Sequence, residues 1–139
     1  MNILILNGPN LNLSGNREVA IYGNKTFEEQ ITQLQTLYPN HSIDYFQSNE
    51  EGAIVQKIQE GEKKYTAIII NAGAFTHTSI AIADAIRAIT IPAIEVHISN
   101  IYAREEYRKK SYLSNVCKGS IVGLGMDGYR LAVEYVICC

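Results

Sequence analysis

Strand-like and helix-like patterns alternate along this chain, and that alternation restricts its fold more than any other feature. Five short segments have the character of strands, and they cover residues 2–6, 42–47, 66–70, 91–97 and 120–124. All but the second are almost continuously apolar, which is typical of strands covered by helices on both faces. The segments between and after them predict helices at 26–38, 48–64, 79–90 and 103–110, and from about residue 126 onward.

Two of these helices begin with the pattern of a capping box, in which a hydroxyl and a glutamate three residues later satisfy free backbone amides. The pairs are Thr26 with Glu29 and Ser48 with Glu51. A strand followed by a helix, repeated along the chain, calls for a parallel sheet with right-handed crossovers. We therefore expect an α/β, flavodoxin-like, doubly wound sheet of five parallel strands in the order 2-1-3-4-5, within three α/β/α layers.

The bulk composition excludes several classes of protein. The 139 residues suit one domain, and a net charge of -2 gives no basic surface for nucleic acid. No stretch approaches the roughly 18 apolar residues of a membrane span, and no basic segment precedes the first apolar run as in a signal peptide. Cys117, Cys138 and Cys139 lack metal or disulfide spacing, so we expect reduced thiols and a cytoplasmic protein.

The segments that follow the strands are the first candidates for a binding site. Ligands of open α/β sheets bind beyond the carboxyl ends of the strands, and the segments 7–10, 71–73, 97–100 and 123–125 are expected at that edge. The loop that follows strand one is long, and such loops are usually functional. It carries Arg17 five residues before Tyr22, and a cation beside a phenol favours proton chemistry.

Single residues at this edge have more than one interpretation. His97 lies two residues after Glu95 on the same strand face, so it is either a satisfied core histidine or a general acid or base. His77 is either a capping and packing residue or part of the site. Arg104 and Arg108 belong by default to a solvated, salt-bridged face with neighbouring glutamates. Asp84, within an apolar helix, needs a partner, which is either Arg87 or a group of a second subunit.

Two other uses of this fold, dinucleotide binding and the receiver domain, agree less well with the motifs. Residues 123–128 match G-x-G-x-x-G, but no later strand can supply the acidic residue that holds a ribose, which favours a tight turn and close packing. A receiver domain would need acidic residues where this chain has Asn7 and Asn71. A non-catalytic module that binds a nucleotide or flavin at the same edge remains the second hypothesis.

Six groups of residues together carry a much more specific pattern. They are residues 7–11, 17–18 with 22–23, 71–73 with 76–79, 95–100, 103–106 with 108, and 123–125 with 128–129. In order and spacing they resemble type II 3-dehydroquinate dehydratase, also called type II dehydroquinase, over the whole chain. Two departures are Val19, where that family usually has proline, and Phe75, where it usually has a smaller or aliphatic residue.

The resemblance implies a single catalytic domain over residues 1–139. It also implies an anti elimination of water from 3-dehydroquinate through an enolate, with no metal, Schiff base or other cofactor. Tyr22 matches the base, Arg17 matches the group that activates it and stabilises the transition state, and His97 matches the general acid. Asn10 matches the residue that positions the enolate oxygen, and Glu95 is expected to orient His97.

The same resemblance implies the groups that bind the substrate and the state of assembly. The substrate-binding positions are Asn71, His77, Asp84, Ile98, Ser99 and Arg108. Asp84 matches a carboxylate that reaches the site of a neighbouring subunit, and the family is commonly a dodecamer built of trimers. We therefore expect a homo-oligomer that acts on a small molecule in the shikimate or quinate pathway.

Overall fold

A computed structural model describes residues 1–13 and 25–139 of the chain. Its five strands are β1 (Asn2–Asn7), β2 (Ser42–Gln47), β3 (Ala67–Asn71), β4 (Ala93–His97) and β5 (Gly119–Val122). All neighbouring strands pair in parallel, in the order β2-β1-β3-β4-β5. The predicted flavodoxin-like sheet and its strand order are confirmed.

Helices cover both faces of this sheet. They are α1 (Phe27–Leu37), α2 (Glu51–Lys64), α3 (Ile80–Ala88) and α4 (Asp127–Cys138). Alternate side chains of β1 point to opposite faces, so Ile3 and Ile5 pack with α1 and α4, whereas Leu4 and Leu6 pack with α2 and α3. The two cores produce the three predicted layers.

One of the two predicted capping boxes is present. Thr26 and Glu29 each accept a backbone N–H of the other, as the pattern requires. The prediction for Ser48 and Glu51 is wrong, because α2 begins two residues later than a box would need and its N-cap is Glu50. The Ser48 hydroxyl instead accepts the Glu50 N–H at 3.0 Å, a local turn that competes with capping.

The predicted helix at 103–110 is also wrong in type. Two single turns of 3-10 helix occupy this region, Ile101–Ala103 and Glu106–Arg108. Arg104 between them has an extended backbone (φ -110°, ψ -163°), which interrupts any continuous helix. Two further 3-10 segments, Leu11–Leu13 and Gly73–His77, follow β1 and β3.

The carboxyl ends of the central strands are held in close register. Asn7 pairs with Asn71 across β1 and β3, and the Gly8 N–H donates to the Asn71 carbonyl at 2.8 Å. This register brings the segments after β1, β3 and β4 to one edge of the sheet. Among residues 1–13 and 25–139, no helix is both long and apolar enough to cross a membrane.

Candidate functional site

A polar pocket opens at the carboxyl edge of β1, β3 and β4. Seven residues singled out from the sequence line it: Asn10, Asn71, His77, His97, Ile98, Ser99 and Arg108. They come from strand ends and from the 3-10 turns that follow, so the parallel register of the sheet places them together. Tyr22 and Arg17 lie outside the described residues.

His97 and Glu95 form a buried pair at the end of β4. His97 is 5% exposed and Glu95 is 1% exposed, and His97 Nε2 donates to Glu95 Oε1 at 2.8 Å. Burial disfavours the charged carboxylate, but hydrogen bonds from His97 and three serines outweigh it and lower the pKa of Glu95 to about 2. The bond to Glu95 keeps a proton on Nε2, which leaves Nδ1 of His97 for another partner.

His77 is held beside His97 with a defined proton position. Its Nδ1 donates to the Lys110 carbonyl at 2.6 Å, and the two imidazole rings stack with centroids 6.3 Å apart. Burial lowers the pKa of His77, and the proximity of His97 and Arg108 acts in the same direction. A neutral His77 with its proton on Nδ1 presents Nε2 as an acceptor.

Asn71 is fixed by a buried chain of hydrogen bonds beneath the pocket. Its amide donates to the Tyr129 hydroxyl at 2.9 Å, and that hydroxyl donates to Asn7 Oδ1 at 2.8 Å. The Asn7 amide in turn donates to Tyr45 at 3.3 Å. Burial raises the pKa of Tyr45 to about 12, so this phenol stays protonated. No local sequence pattern indicates the bond between Tyr129 and Asn71, because the two residues lie 58 positions apart.

Two arginines reach the pocket from the 3-10 turns after β4. Arg108 Nε donates to Glu105 at 2.9 Å, and Arg104 donates to the Ser99 hydroxyl at 3.3 Å. Both arginine side chains are about one-quarter exposed and line the pocket, so they are more than a solvated face. Arg104, predicted only as part of a solvated face, is therefore a further residue of the pocket.

Asn10 begins the segment that leads away from β1. Its backbone lies in the left-handed region, with φ of +68°, which asparagine tolerates better than most residues. Its N–H donates to Asn49 Oδ1 at 3.0 Å. Asn10 and the following Leu11 both line the pocket, so this turn forms part of its wall.

Asp84 lies apart from the pocket of its own chain. It occupies the exposed face of α3 and pairs with Arg87 at 2.6 Å, one of its two expected partners. Ile80 on the same face is 61% exposed. The helix is therefore covered by the sheet and α2 on one side and open on the other.

The glycine-rich segment 123–128 serves turns and packing. Gly123 has φ of +84°, and a Cβ there would lie 3.1 Å from Asn100. A Cβ at Gly128 would lie 3.2 Å from Val96, so this glycine lets α4 approach the sheet closely. The packing interpretation of the motif is the one the structure supports. Within the described part of the chain, no three His, Cys, Asp or Glu side chains cluster as metal ligands do.

Comparison with known proteins gives consistent results at the level of sequence and structure. The family described as Dehydroquinase class II matches residues 1–137. A 3-dehydroquinate dehydratase of Clostridium botulinum strain Hall is 55% identical over 98% of this chain and 94% of its own length. A second, from Pelodictyon phaeoclathratiforme, is 50% identical over 99% of this chain and 92% of its own.

Solved structures agree in fold over nearly all of the chain. The type II dehydroquinase of Butyrivibrio crossotus superposes with a TM-score of 0.94 at 45% identity, over 99% of this chain and 97% of that one. The type II dehydroquinase of Propionibacterium acnes gives the same TM-score at 39% identity, with the same coverage of both chains. From its sequence match and its fold together, the chain belongs to the class II dehydroquinase family.

Proposed function

We propose that this protein is a hydro-lyase that removes water reversibly from 3-dehydroquinate to give 3-dehydroshikimate, in the shikimate or quinate pathway. The observation that carries the proposal is the family match over residues 1–137, which includes the polar groups that line the pocket. Relatives at 50–55% identity bear the name 3-dehydroquinate dehydratase.

The elimination needs a base and an acid on opposite faces of the substrate. Tyr22, as a phenolate favoured by Arg17, takes the proton alpha to the ketone, and the electron pair moves onto the carbonyl oxygen as an enolate. Re-formation of the ketone expels the β-hydroxyl. His97 gives that hydroxyl a proton, so water leaves and a conjugated enone remains. Asn10 positions the enolate oxygen through an ordered water.

The His97–Glu95 pair is suited to the role of acid. The Nε2 proton is committed to Glu95 Oε1 at 2.8 Å, so the proton given to the departing hydroxyl comes from Nδ1 of the imidazolium. The carboxylate stabilises that cation and keeps the ring in one orientation. A buried pair also works in a water-poor environment, where its electrostatic effect on the ring is strong.

The remaining pocket groups supply the substrate's hydrogen bonds. Arg108 offers a forked donor to the substrate carboxylate or hydroxyls, with Ser99 and the Ile98 backbone nearby. Asn71 and the Nε2 acceptor of His77 complete the set. A polar, hydroxyl-rich substrate fits a pocket with this excess of donors and acceptors.

The assembly and location follow as part of the same proposal. We propose a dodecamer built of trimers, in which Asp84 reaches the pocket of a neighbouring subunit. The exposed face of α3 supports this proposal, because the apolar side chain of Ile80 is exposed there beside Asp84. A cytoplasmic location is proposed from the sparse cysteines without metal or disulfide spacing, as in reducing compartments.

The proposed activity is tested by mixing purified protein with 3-dehydroquinate and following the ultraviolet absorbance of the enone. The band should grow at micromolar enzyme and need no added metal, and borohydride added with the substrate should trap no adduct. The protein alone should be colourless. Absence of the band would refute the hydro-lyase, and a yellow, flavin-bound protein would support the binding-module hypothesis.

A further inference from the structure

The Glu95 carboxylate is surrounded by hydroxyl groups as well as by His97. Ser111 donates to Oε1 at 2.6 Å, and Ser114 and Ser120 each donate to Oε2 at 2.7 Å. With His97 on Oε1, the carboxylate accepts four hydrogen bonds, close to the full capacity of its two oxygens. Two of these serines lie before β5 and one on it, and as far as the chain is described none lines the pocket.

We propose that Ser111, Ser114 and Ser120, here called the serine cradle, are positioning residues for the dehydration. They hold the buried Glu95 ionised and oriented, so that it accepts the Nε2 proton of His97 and leaves Nδ1 for the substrate. The proposal rests on the role of His97 as general acid, proposed above. No member of the cradle touches the reacting atoms; each acts through Glu95.

The physical reason is the cost of a buried charge. An unpaired carboxylate at 1% exposure would take up a proton, because burial favours the neutral form. A neutral Glu95 would donate its own proton toward Nε2 and thereby select the opposite imidazole tautomer. Hydroxyl donors remove this alternative, because they bind the charged form of the carboxylate more strongly than the neutral one.

The surrounding titratable groups do not replace the cradle. His77 stacks on His97 rather than on Glu95, and the Arg108 guanidinium donates to Glu105. Burial, with a further contribution from Glu95, raises the pKa of Cys117 to about 12, so this thiol is uncharged. Hydrogen bonds from neutral hydroxyls and His97 therefore carry the stabilisation of Glu95.

Ser114 and Ser120 give the cleanest test, because Ser111 also accepts the N–H groups of Leu113 and Ser114 and shapes a turn. The test compares Ser114→Ala/Ser120→Ala with Ser114→Thr/Ser120→Thr, which keeps both hydroxyls. Single Ser120 variants serve as a second pair, because this residue is exposed on the edge strand β5.

Two measurements distinguish a positioning role of these serines from a role in stability alone. In enzyme labelled with ¹⁵N-histidine, the Nε2–H signal of His97 should shift or broaden in the alanine variants, while His41 serves as an internal reference. With 3-dehydroquinate, kcat should fall about tenfold, because a less firmly held Glu95 no longer keeps His97 in one orientation. The acidic limb of the kcat profile should move upward by about one pH unit, because Glu95 loses donors to its charged form. KM should change less than about twofold, and threonine should restore both readouts.

Three results would be decisive. Alanine variants that fold and keep the wild-type His97 signal, kcat and pH profile would overturn the serine cradle. A changed His97 signal with an unchanged kcat profile would overturn the acid role of His97 and so the proposed mechanism. A loss of kcat that threonine does not restore would show that the hydroxyls are not the cause, and would overturn the cradle.

Discussion

At the scale of single residues, the proposed elimination depends most on His97. Replacing it by asparagine removes the proton donor but keeps a polar side chain of similar reach. We expect His97→Asn to lower kcat for 3-dehydroquinate by about 100- to 10,000-fold, the usual contribution of a general acid. His41→Asn is the matched control, because the His41 side chain bonds the amino terminus, does not line the pocket, and should leave kcat unchanged when replaced. Equal kcat in the two variants would remove His97 from the mechanism.

Glu95 makes a second prediction, about stability and pH. Its pKa falls from an ordinary 4.5 to about 2 in the folded chain. A lowered carboxyl pKa stabilises the fold above the unfolded value, by about 3 kcal/mol here, and that contribution is lost as pH falls from 4.5 toward 2. Glu95→Gln should be less stable at neutral pH but lose less stability on acidification.

The measurement is urea unfolding followed by tyrosine circular dichroism at several pH values, since the chain has no tryptophan. Glu60→Gln, on the exposed surface of α2, is the control and should follow the wild type. If the free energy of unfolding of Glu95→Gln depends on pH as that of the wild type does, the hydrogen bonds do not hold Glu95 in its ionised form.

At the scale of elements, the pocket edge depends on the close approach of the turns after β1 and β3. A Cβ at Gly8 would lie 2.2 Å from the Ala72 carbonyl oxygen, and both groups are backbone-anchored. Gly8→Ala should therefore lower the free energy of unfolding by at least about 2 kcal/mol. At Gly52, on α2, a Cβ meets nothing within 4 Å, so Gly52→Ala should gain about 0.5 kcal/mol. Equal free energies of unfolding for the two variants would contradict the close approach of Gly8 to Ala72.

How far the sequence predicts each element depends on the range of the interactions that form it. The strands and the four long helices follow from local periodicity, and the Glu95–His97 pair follows from spacing two on one strand face. Ser120 and Tyr129 contact their partners from 25 and 58 positions away, and no local pattern reports such contacts. The helix predictions at Ser48 and at 103–110 were wrong for two local reasons. The Ser48 hydroxyl binds a nearby backbone N–H instead of capping the helix, and the extended backbone of Arg104 interrupts the second helix.

At the scale of the whole molecule, the proposed assembly predicts that subunits share active sites. Asp84→Ala removes the group contributed to a neighbour, whereas His97→Asn damages the site of its own chain. Unfolding the two inactive variants together and refolding them should restore about a quarter of the sites, because half of the chains keep His97 and half of their neighbours keep Asp84. Each variant refolded alone is the control. No recovery in mixed oligomers of confirmed size would contradict a shared site.

In the proposed mechanism, the elimination occurs in the pocket at the carboxyl edge of β1, β3 and β4. A crystal structure of Tyr22→Phe soaked with 3-dehydroquinate tests this placement, since loss of the proposed base should block turnover but not binding. We expect intact substrate in the pocket, with a ring hydroxyl near Nδ1 of His97 and the carboxylate or another hydroxyl on Arg108. Substrate bound elsewhere, or full turnover by this variant, would contradict it.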